Sequence, residues 1–407
     1  MTAPDTVAFN PFDPSFRADP YPSYAQLRAL DPVHVSPLGF VVLTRYADVV
    51  RTLRGNEFSR DVEARGTSDD PLRRLRREQL RQRIEDGEAA KNILGLDPPD
   101  HTRLRRLVSL AFTPSSIERL RPRIEGLVGA VLDRAEEVGS MELVDELAFP
   151  VPFLVISELL GMPTERETEV RDWSQMITAS LEPTSDEETL AAADAASRQL
   201  QAYLDEVIAQ RRAHLGDDLL SQLLLVEDEG DRLSAAELKS FVALLYIAGH
   251  ETTVNLIGNG LLALVRNPDE LRRWRDDPAL DAKAVDELLR FDGPVQQTVR
   301  IPLETVRYDD VEVAPGTTVM AVLGAANHDP AMFDDPGALR LDRPNAGRHL
   351  GFSAGIHYCL GASLAKLEAS VAITAVIRRF PNVELAGEPH WRDRLTIRGV
   401  DRLPLAW

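Results

Sequence analysis

Apolar residues recur every three or four positions along most of the chain, which is the spacing of amphipathic α-helices. The pattern predicts short helices over residues 24–30 and 46–53, and a series of helices over about 115–216. The longest predicted helix begins with a Ser-x-x-Glu capping box at Ser234 and ends at about Arg266, before an Asn-Pro pair. Helices should therefore form most of the structure.

Short runs of β-branched residues predict two β-hairpins. The first should pair Val33–Val35 with Phe40–Leu43, and the second should pair Val311–Val313 with residues 317–322 through a Pro-Gly turn. Residues 1–20 contain four prolines and predict an irregular N-terminal arm. The resulting fold class is mainly α with small β-sheets, in a single domain over residues 1–407.

Composition and charge favour a globular protein over a nucleic-acid-binding, secreted or membrane-spanning one. The 407 residues are 44% hydrophobic, which is enough for a large core. The net charge of −19 disfavours nucleic-acid binding, and the arginine cluster over 73–83 has no interleaved aromatic residues. The N-terminus shows no signal-peptide pattern, and no apolar run is long enough to cross a membrane. A single cysteine fits a reducing compartment, so we expect a cytoplasmic protein.

Cys359 is the chain's sole cysteine, which excludes an internal disulfide and any site that needs several thiolates from one chain. Two interpretations remain. A lone cysteine often serves as a small buried apolar residue. Here, however, it opens a helix-periodic segment over 360–379, where a helix N-terminus would favour the thiolate. Gly355 permits a tight turn before it, and Gly361 leaves room for a flat ligand such as haem.

The residues Phe352, Gly355, His357, Cys359 and Gly361 are spaced as Phe-x-x-Gly-x-His-x-Cys-x-Gly, which resembles the haem-binding signature of cytochromes P-450. The resemblance implies haem b (iron protoporphyrin IX), with Cys359 as the metal ligand and the other four residues in contact with the cofactor. It also implies the P-450 fold, with haem between the long helix and the helix after Cys359. The family often has glycine where this chain has Ser353.

Three further motifs follow the family's order. His101 and Arg105 are one helical turn apart and, with Arg300, match residues that hold the haem propionates. On residue type alone, the first pair could equally be a solvated basic helix.

The Ala248-Gly-His-Glu251-Thr252 stretch matches the oxygen-activation motif. The resemblance implies that Glu251 and Thr252 are catalytic and that Ala248 lies beside the haem. A glycine with a threonine in a helix is otherwise often only packing. Glu287, Arg290 and Arg343 match the family's buried structural motif, although a Glu-x-x-Arg pair alone is usually a surface pair.

The resemblance also places a substrate pocket. Residues of about 59–97 should form a mobile loop region over it, and helices within about 162–212 should form its lid. The candidate lining residues are Ile93, Leu94, Leu244, Ala248, Val295, Gln296, Thr298, Val299 and Ile397. Gln296 could instead face solvent.

The implied function is insertion of one oxygen atom from O₂ into a C–H bond of a lipophilic molecule such as a polyketide, terpenoid or steroid. The alternatives are an atypical oxidation by the same haem (epoxidation, desaturation, coupling or peroxide-driven chemistry) and a non-catalytic haem-thiolate sensor or carrier. The chain shows no GxGxxG in a strand–turn–helix setting, so electrons should come from a separate protein. The resemblance implies that this partner is a ferredoxin supplied by a ferredoxin reductase. Arg103, Arg106 and Lys366 are candidates for docking that partner. The protein should act as a monomer of soluble, bacterial type.

Overall fold

The structure is a computed structural model that describes residues 13–37, 39–61, 64, 78, 81–87, 89–109, 112–182, 185–225, 227–228 and 231–407. It divides into two compact units. Unit 1 comprises residues 1–59, 125–148 and 252–407, and unit 2 comprises residues 60–124 and 149–251. Much of the predicted loop region over 59–97 and the arm residues 1–12 lie outside the described residues.

α-Helices dominate both units, as the hydrophobic pattern predicts. In chain order they are α1 Pro14–Ala18, α2 Tyr21–Leu30, α3 Tyr46–Arg54, α4 Asp100–Ser109, α5 Pro114–Glu118, α6 Arg121–Val138, α7 Pro150–Leu160, α8 Glu167–Ala179, α9 Glu187–Ala213, α10 Leu219–Leu225, α11 Ala235–Arg266, α12 Pro268–Asp276, α13 Ala284–Asp292, α14 Leu323–Asn327 and α15 Ala362–Arg379. Short 3₁₀ turns occupy Ile93–Gly95, Pro278–Leu280, Ala346–Arg348 and Gly355–His357, and Val144–Ala148 forms a π-helical turn.

The strands are short. They are β1 Val33–Val35, β2 Phe40–Leu43, β3 Phe58–Ser59, β4 Ser140–Glu142, β5 Glu227–Asp228, β6 Asp231–Arg232, β7 Gln297–Pro302, β8 Val306–Tyr308, β9 Val311–Val313, β10 Thr318–Val322, β11 Glu384–Leu385, β12 His390–Trp391, β13 Val400–Arg402 and β14 Pro404–Ala406. The largest sheet has the order β1-β2-β10-β7-β3, and a smaller one has the order β11-β14-β4. The pairs β5–β6, β8–β9 and β12–β13 complete the set among the described residues.

The first predicted hairpin is confirmed, because β1 pairs with β2 in antiparallel register. The second is wrong. β9 pairs with β8, whereas β10 runs parallel to β2 and antiparallel to β7. The Pro-Gly turn at 315–316 therefore connects two different sheets rather than two strands of one hairpin. The irregular arm also needs correction, because Asp13 caps a helical turn at α1 through a bond from the backbone N–H of Ser15.

Helix α11 matches the predicted long helix closely. Its 32 residues make it about 48 Å long at the standard rise per residue. The capping box forms as expected: the Ser234 N–H donates to Glu237 Oε2 at 2.8 Å, and the Glu237 N–H donates to Ser234 Oγ at 3.2 Å. Two of the N–H groups that a helix start leaves without helical partners are thereby satisfied.

The predicted lid segments become α8 and α9, which pack against each other in unit 2. The Arg166 guanidinium lies 5.0 Å from the ring centres of both Trp173 on α8 and Tyr203 on α9. The Tyr203 hydroxyl also donates to the Pro163 carbonyl at 3.1 Å. Cation–π contacts thus join the two helices at one end. Opening of the pair over a pocket stays a prediction.

Within the part of the chain that the structure describes, none of the helices combines the length and apolar character needed to cross a bilayer.

Glu287, Arg290 and Arg343 form a buried ionic network in unit 1, as the sequence motif implies. The Glu287 carboxylate accepts from Arg290 Nε and Nη2 at 2.7 Å each and from Arg343 Nε at 3.0 Å. None of the three residues is more than 4% exposed. Remaining N–H groups of the two arginines donate to backbone carbonyls, among them those of Asn327 and Ala338. The network thus joins α13 to the loop before the cysteine.

Replacing Glu287 by glutamine should strongly destabilise this unit, because two buried guanidinium groups would lose their common counter-charge. We expect a loss of about 3–5 kcal/mol in the free energy of unfolding. Urea unfolding followed by circular dichroism measures it, with Glu304→Gln as the matched control because Glu304 is exposed. Equal unfolding midpoints for the two variants would contradict a structural role for the network.

Glu368 on α15 is a buried acid that the sequence analysis did not single out. It is 1% exposed. Burial raises its pKa well above the ordinary value near 4.5, and the neighbouring Thr253 hydroxyl opposes the rise only in part. A folded protein therefore retains a proton on Glu368 at pH values where the unfolded chain releases it. This difference lowers stability as the pH rises above about 4.5.

Glu368→Gln should remove that pH dependence, because the amide is neutral in both states. Near pH 4 we expect parent and variant to have similar stability. Above that, the variant should gain on the parent by up to about 1.4 kcal/mol per pH unit until the folded pKa is reached. Urea titrations from pH 4 to pH 8 measure the difference. Parallel stability curves for the two proteins would show that Glu368 ionises equally in both states.

Candidate functional site

The cysteine loop is closed by backbone hydrogen bonds. The Cys359 N–H donates to the Phe352 carbonyl at 3.0 Å, and the Tyr358 N–H donates to the Gly355 carbonyl at 3.1 Å. At the loop's entrance the Ser353 N–H donates to the Leu350 carbonyl at 2.8 Å. These bonds fix the path of the backbone from Phe352 to Cys359. The Cys359 side chain is exposed, so the interpretation as a buried apolar residue is wrong.

Backbone conformation and steric space restrict which residues fit at three positions of the loop. Gly355 has φ of +72°, and a Cβ there would lie 2.5 Å from the Leu53 carbonyl oxygen. Only glycine fits this position. A Cβ at Gly361 would meet no atom within 4 Å, so the space beside Cys359 is open. Ser353 also has a positive φ, of +62°, which explains structurally why glycine suits its position.

The helix after the cysteine begins later than predicted. Its first residue is Ala362, with Gly361 as the capping residue, so Cys359 precedes the helix by three positions rather than opening it. The Ala365 N–H already donates to the Gly361 carbonyl at 2.9 Å. Tight backbone turns before Gly361 displace the start of the helix. The thiol therefore lies just outside the first turn, at the positive end of the helix dipole.

A charged cluster supports the loop from the α13 side. Asp286 accepts from Lys366 Nζ at 2.7 Å and lies 3.3 Å from His349 Nε2. Burial by itself would raise the pKa of Asp286, but the hydrogen bonds from His349 and Lys366 outweigh it and lower the pKa. The other ring nitrogen of His349 accepts from the Gly351 N–H at 3.0 Å, next to Phe352. This cluster anchors the chain where the loop begins.

The predicted propionate residues take up positions suited to holding an anion. In unit 2, His101 is 3% exposed on α4, and Arg105 lies one turn later. Burial lowers the pKa of His101, the Arg105 charge lowers it further, and Asp97 opposes both. The imidazole is therefore neutral at pH 7 and retains one N–H donor.

In unit 1, Arg300 is 3% exposed on β7, opposite Val319 of β10. Its Nη1 donates to the Thr298 hydroxyl at 3.3 Å and to the Val299 carbonyl at 2.9 Å. Both of these acceptors are neutral. A guanidinium is also of the type that donates hydrogen bonds to carboxylates.

One face of α11 remains accessible although most of the helix is buried. Leu244, Ala248 and Thr252 are spaced four residues apart and therefore lie on this face. Ala248 is exposed, and the other two are half-buried. Glu251 is 1% exposed and belongs to the buried part of the helix. Glu251 and Thr252 thus differ in exposure, the acid being buried and the hydroxyl residue half-buried, although they are neighbours in sequence.

In unit 1, two backbone contacts join the predicted pocket residues near 295 to those near 397. Val295 forms an isolated antiparallel bridge with Ile397, and the Gln296 N–H donates to the Thr396 carbonyl at 3.0 Å. Thr298 and Val299 on β7 are half-buried.

Gln296 makes side-chain contacts within the protein. Its side chain is 2% exposed and donates to the Gly293 carbonyl at 2.8 Å, so the solvent alternative is wrong. The buried Gln296 amide thereby stabilises the turn that precedes β7. Of the two candidates that precede α4 in unit 2, Ile93 is buried, whereas Leu94 is 39% exposed.

Two of the three docking candidates are already engaged in ion pairs. Arg103 pairs with Glu237, the residue that caps α11, and Lys366 pairs with Asp286. Their charges are therefore largely balanced within the protein. Arg106 lies on the exposed side of α4. A basic docking patch made of all three residues is not supported by these contacts.

Sequence reasoning missed Asn327, which links the ionic network to the cysteine loop. Its carbonyl accepts from Arg290 at 3.1 Å, and its Oδ1 accepts from the Leu350 N–H at 2.7 Å. It also missed His250, which is fully buried beside Glu251. No sequence signal marks Asn327. His250 lies inside the matched motif at a position to which the motif assigns no role.

These residues fit a haem-thiolate site. The thiol is exposed on a rigid loop, and the open space at Gly361 leaves room for a flat ring beside it. Buried cationic or N–H donor side chains at Arg300 and His101 are of the type that binds carboxylates. A single axial thiolate is one of the ligand types that hold haem iron.

Comparison with known proteins agrees with this chemistry. The sequence model of the family described as "Cytochrome P450" matches residues 62–277 and 278–393. The curated relative Cytochrome P450 107B1 of Saccharopolyspora erythraea is 40% identical, over 99% of this chain and 98% of its own length. Vitamin D(3) 25-hydroxylase of Pseudonocardia autotrophica is also 40% identical, over 100% of this chain and 98% of its own. The solved structure of the Bacillus subtilis 168 bacillaene polyketide synthase cytochrome P450 PksS superposes with a TM-score of 0.87 at 34% identity, covering 98% of this chain and 99% of that one.

Cys359→Ser should abolish the red-shifted absorption band that thiolate ligation gives to the reduced carbon-monoxide complex. The serine hydroxyl is nearly isosteric but does not supply a thiolate at neutral pH. Difference spectroscopy measures the band, and Tyr358→Phe is the control, since it changes only a neighbouring, 47% exposed side chain. Retention of the band in the serine variant would show that another residue binds the iron.

Proposed function

Because the chain belongs to the cytochrome P450 monooxygenase family, whose cofactor is a haem-thiolate, we propose that it inserts one oxygen atom of O₂ into a C–H bond of a lipophilic small molecule. Cys359 carries the proposal, because the closed loop exposes the chain's sole thiol beside the open space at Gly361. The cofactor we propose is haem b. When bound, it supplies the redox chemistry that activates O₂.

Cys359 would hold the iron, with Phe352, Gly355, His357 and Gly361 shaping the loop around it. Arg300, His101 and Arg105 would hold the propionates. A neutral His101 suits this role, because one N–H donates to the carboxylate and the bound anion would then raise the pKa of the ring.

Glu251 and Thr252 are the proposed proton-handling pair. The Thr252 hydroxyl both donates and accepts, and it lies on the accessible face of α11. Glu251, the residue before it, is a carboxyl group in the buried part of the same helix. Together they would deliver protons to the reacting oxygen while the surrounding apolar residues exclude bulk water.

A lipophilic substrate fits the character of the candidate pocket residues. Leu244 and Ala248 on α11, Val295, Val299 and Ile397 are apolar, and Thr298 offers a single hydroxyl. Apolar walls with a few polar groups are typical of small-molecule sites. Relatives named for a vitamin D hydroxylation and for polyketide biosynthesis point to large apolar substrates of the polyketide, terpenoid or steroid kind.

Electrons would come from a ferredoxin reduced by its reductase. The chain has no strand–turn–helix dinucleotide fingerprint with which to bind a nicotinamide cofactor itself. Because Arg103 and Lys366 are engaged within the protein, partner docking would depend on other groups or on exchange of these ion pairs.

Thr252→Ala should uncouple electron use from product formation. The test supplies a ferredoxin, its reductase, NADPH and a panel of lipophilic compounds under ¹⁸O₂. With a compound that shifts the haem spectrum, the parent should form a product carrying one ¹⁸O atom. The alanine variant should still bind haem and compound and consume oxygen, but release more hydrogen peroxide, because no hydroxyl holds the proton at this position.

Thr253→Ala and Thr252→Ser are the controls. Thr253 lies on the buried side of α11 and Thr252→Ser retains a hydroxyl, so both should stay coupled. Products without ¹⁸O insertion, such as a desaturated compound, would assign an atypical oxidation instead. A parent protein that consumes no oxygen with any compound would refute the monooxygenase proposal.

A further inference from the structure

Arg398 is a buried charged residue with no part in the function proposed above. It directly follows the predicted pocket residue Ile397 and is 6% exposed. Its Nε donates to Asp292 Oδ1 at 2.6 Å, and its Nη2 donates to Asp292 Oδ2 at 3.4 Å. Nη1 donates to the Arg17 carbonyl, and Nη2 also donates to the Ala18 carbonyl at 2.9 Å. One side chain therefore joins the end of α13, the N-terminal helix α1 and the segment that carries Ile397.

A cation–π contact adds to these hydrogen bonds. The centre of the Arg398 guanidinium lies 3.8 Å from the ring centre of Trp391 on β12. Tryptophan is the aromatic side chain that attracts cations most strongly. Burial alone would lower the pKa of Arg398, but the Asp292 charge, the hydrogen bond to it and the nearby tyrosines outweigh burial and raise the pKa. The guanidinium is therefore charged, and it is confined both by its acceptors and by the indole ring.

Asp292 has a second hydrogen-bond donor. The Tyr21 hydroxyl donates to Asp292 Oδ1 at 2.6 Å, and burial raises the pKa of Tyr21 well above its ordinary value, so the hydroxyl retains its proton. The Tyr21 ring stacks on His328 at a centroid distance of 3.9 Å, which limits its rotation. Gln296 Nε2 donates to the same hydroxyl at 3.4 Å. Tyr21, Asp292 and Arg398 are called the Arg398 cluster below.

The backbone of Arg398 runs beside the predicted pocket residues. Its N–H donates to the Pro294 carbonyl at 2.7 Å, and the next contact along the two segments is the bridge between Val295 and Ile397. The Arg398 cluster and this bridge all lie in unit 1. The side chain that binds α1 and α13 therefore belongs to the same short segment as the pocket candidate Ile397.

Helix α11 holds the same junction from another side. Asn259 Nδ2 donates to the Arg398 carbonyl at 3.2 Å and to the Asp292 carbonyl at 3.1 Å. The backbones of the two residues that form the ion pair are thus tied to one amide group. Movement of Arg398 would disturb side-chain and main-chain contacts together.

A second ion pair joins α1 to the segment before Arg398, but it is exposed. Arg17 Nη2 lies 2.7 Å from Asp393 Oδ1, and the two side chains are 33% and 74% exposed. An exposed ion pair of this kind contributes little. The buried pair has stricter geometry, because its guanidinium must meet one carboxylate and two carbonyls at once. The position of residue 398 therefore depends mainly on the buried pair.

We propose that Arg398 is a positioning residue for Val295 and Ile397. By binding Asp292 and the carbonyls of α1, it fixes the two apolar side chains where a bulky lipophilic ligand contacts them. Helix α1 thereby contributes to substrate fit without touching substrate. The inference rests on the proposed function, which places these residues in the substrate pocket, but ligand binding can be measured without turnover.

Two azole ligands separate pocket contacts from iron binding. Imidazole and clotrimazole both bind haem iron through an imidazole nitrogen, but clotrimazole adds three aryl rings that would contact apolar walls. Arg398→Lys retains the charge but loses the planar fork that binds Asp292 and the α1 carbonyls together. Spectral titration of the holoenzyme should show about 10-fold weaker clotrimazole binding, the scale of one lost methylene-sized contact in an apolar pocket. Imidazole affinity should stay unchanged.

Arg402→Lys is the matched control, because Arg402 is exposed on β13. Both azole affinities should equal those of the parent in this variant. Tyr21→Phe removes the hydroxyl that binds Asp292 and tests the same cluster if Arg398→Lys prevents folding. It should weaken clotrimazole binding in the same direction and leave imidazole binding unchanged.

Hydrogen exchange of the same proteins locates the change in the chain. In Arg398→Lys, residues 394–399 should exchange faster than in the parent, because the bond from residue 398 to the Pro294 carbonyl opens more often. Strand β10 of the large sheet should exchange as in the parent. Equal acceleration in both segments would show a loss of global stability and contradict a local positioning role.

The titrations distinguish this proposal from the proposed function. Positioning by Arg398 is wrong if Arg398→Lys and Tyr21→Phe bind clotrimazole as the parent does, or if both azoles lose affinity equally. The expected azole affinities in a protein that oxidises no compound would support positioning and refute the monooxygenase function. Oxygen insertion by a parent whose clotrimazole affinity is insensitive to both substitutions would refute positioning alone.

Discussion

The buried carboxylate of Glu287 is the constraint on which the cysteine loop depends. Two guanidinium groups share it, and their remaining N–H groups bind backbone carbonyls of the segment that precedes the loop. From Arg290 the connection continues through Asn327 to the N–H of Leu350, and from the Leu350 carbonyl to Ser353. Such a network adds little net stability compared with apolar packing, but removing one of its members strongly lowers the free energy of unfolding. It therefore specifies one path for the chain that presents Cys359.

Apolar packing, together with the ionic network, fixes the position of the cysteine loop. Leu350 and Ala354 of the loop belong to the same buried cluster as Leu53 on α3 and Val319 on β10. Gly355 lies so close to the Leu53 carbonyl that only glycine fits. The large sheet, α3 and the cysteine loop thus share one core. A thiol on such a frame has a fixed position, which a ligand to a rigid planar cofactor requires.

Helix α11 is mostly apolar but carries several polar residues near its middle. Ala248 and Thr252 remain accessible on one face, while His250 and Glu251 are buried on the others. The aromatic rings around His250 hold the imidazole, and the missing side chain at Gly249 lets α7 approach. The helix thus presents a small residue and a hydroxyl on its accessible face and keeps an acid and an imidazole in its buried part.

The sequence alone determined the elements whose signals are local and the residues whose spacing carries chemistry. The capping box at Ser234 and the first hairpin follow directly from local sequence patterns. The Glu287–Arg290–Arg343 contacts follow from the resemblance of their motif to that of the family. Tertiary structure decided what depends on partners distant in the chain. β10 lies between β2 and β7 instead of pairing with β9, because a short strand takes its partner from whichever backbone the fold brings beside it. Gln296, Asn327 and His250 likewise acquired their hydrogen bonds only in the folded chain, where burial favours hydrogen bonds within the protein.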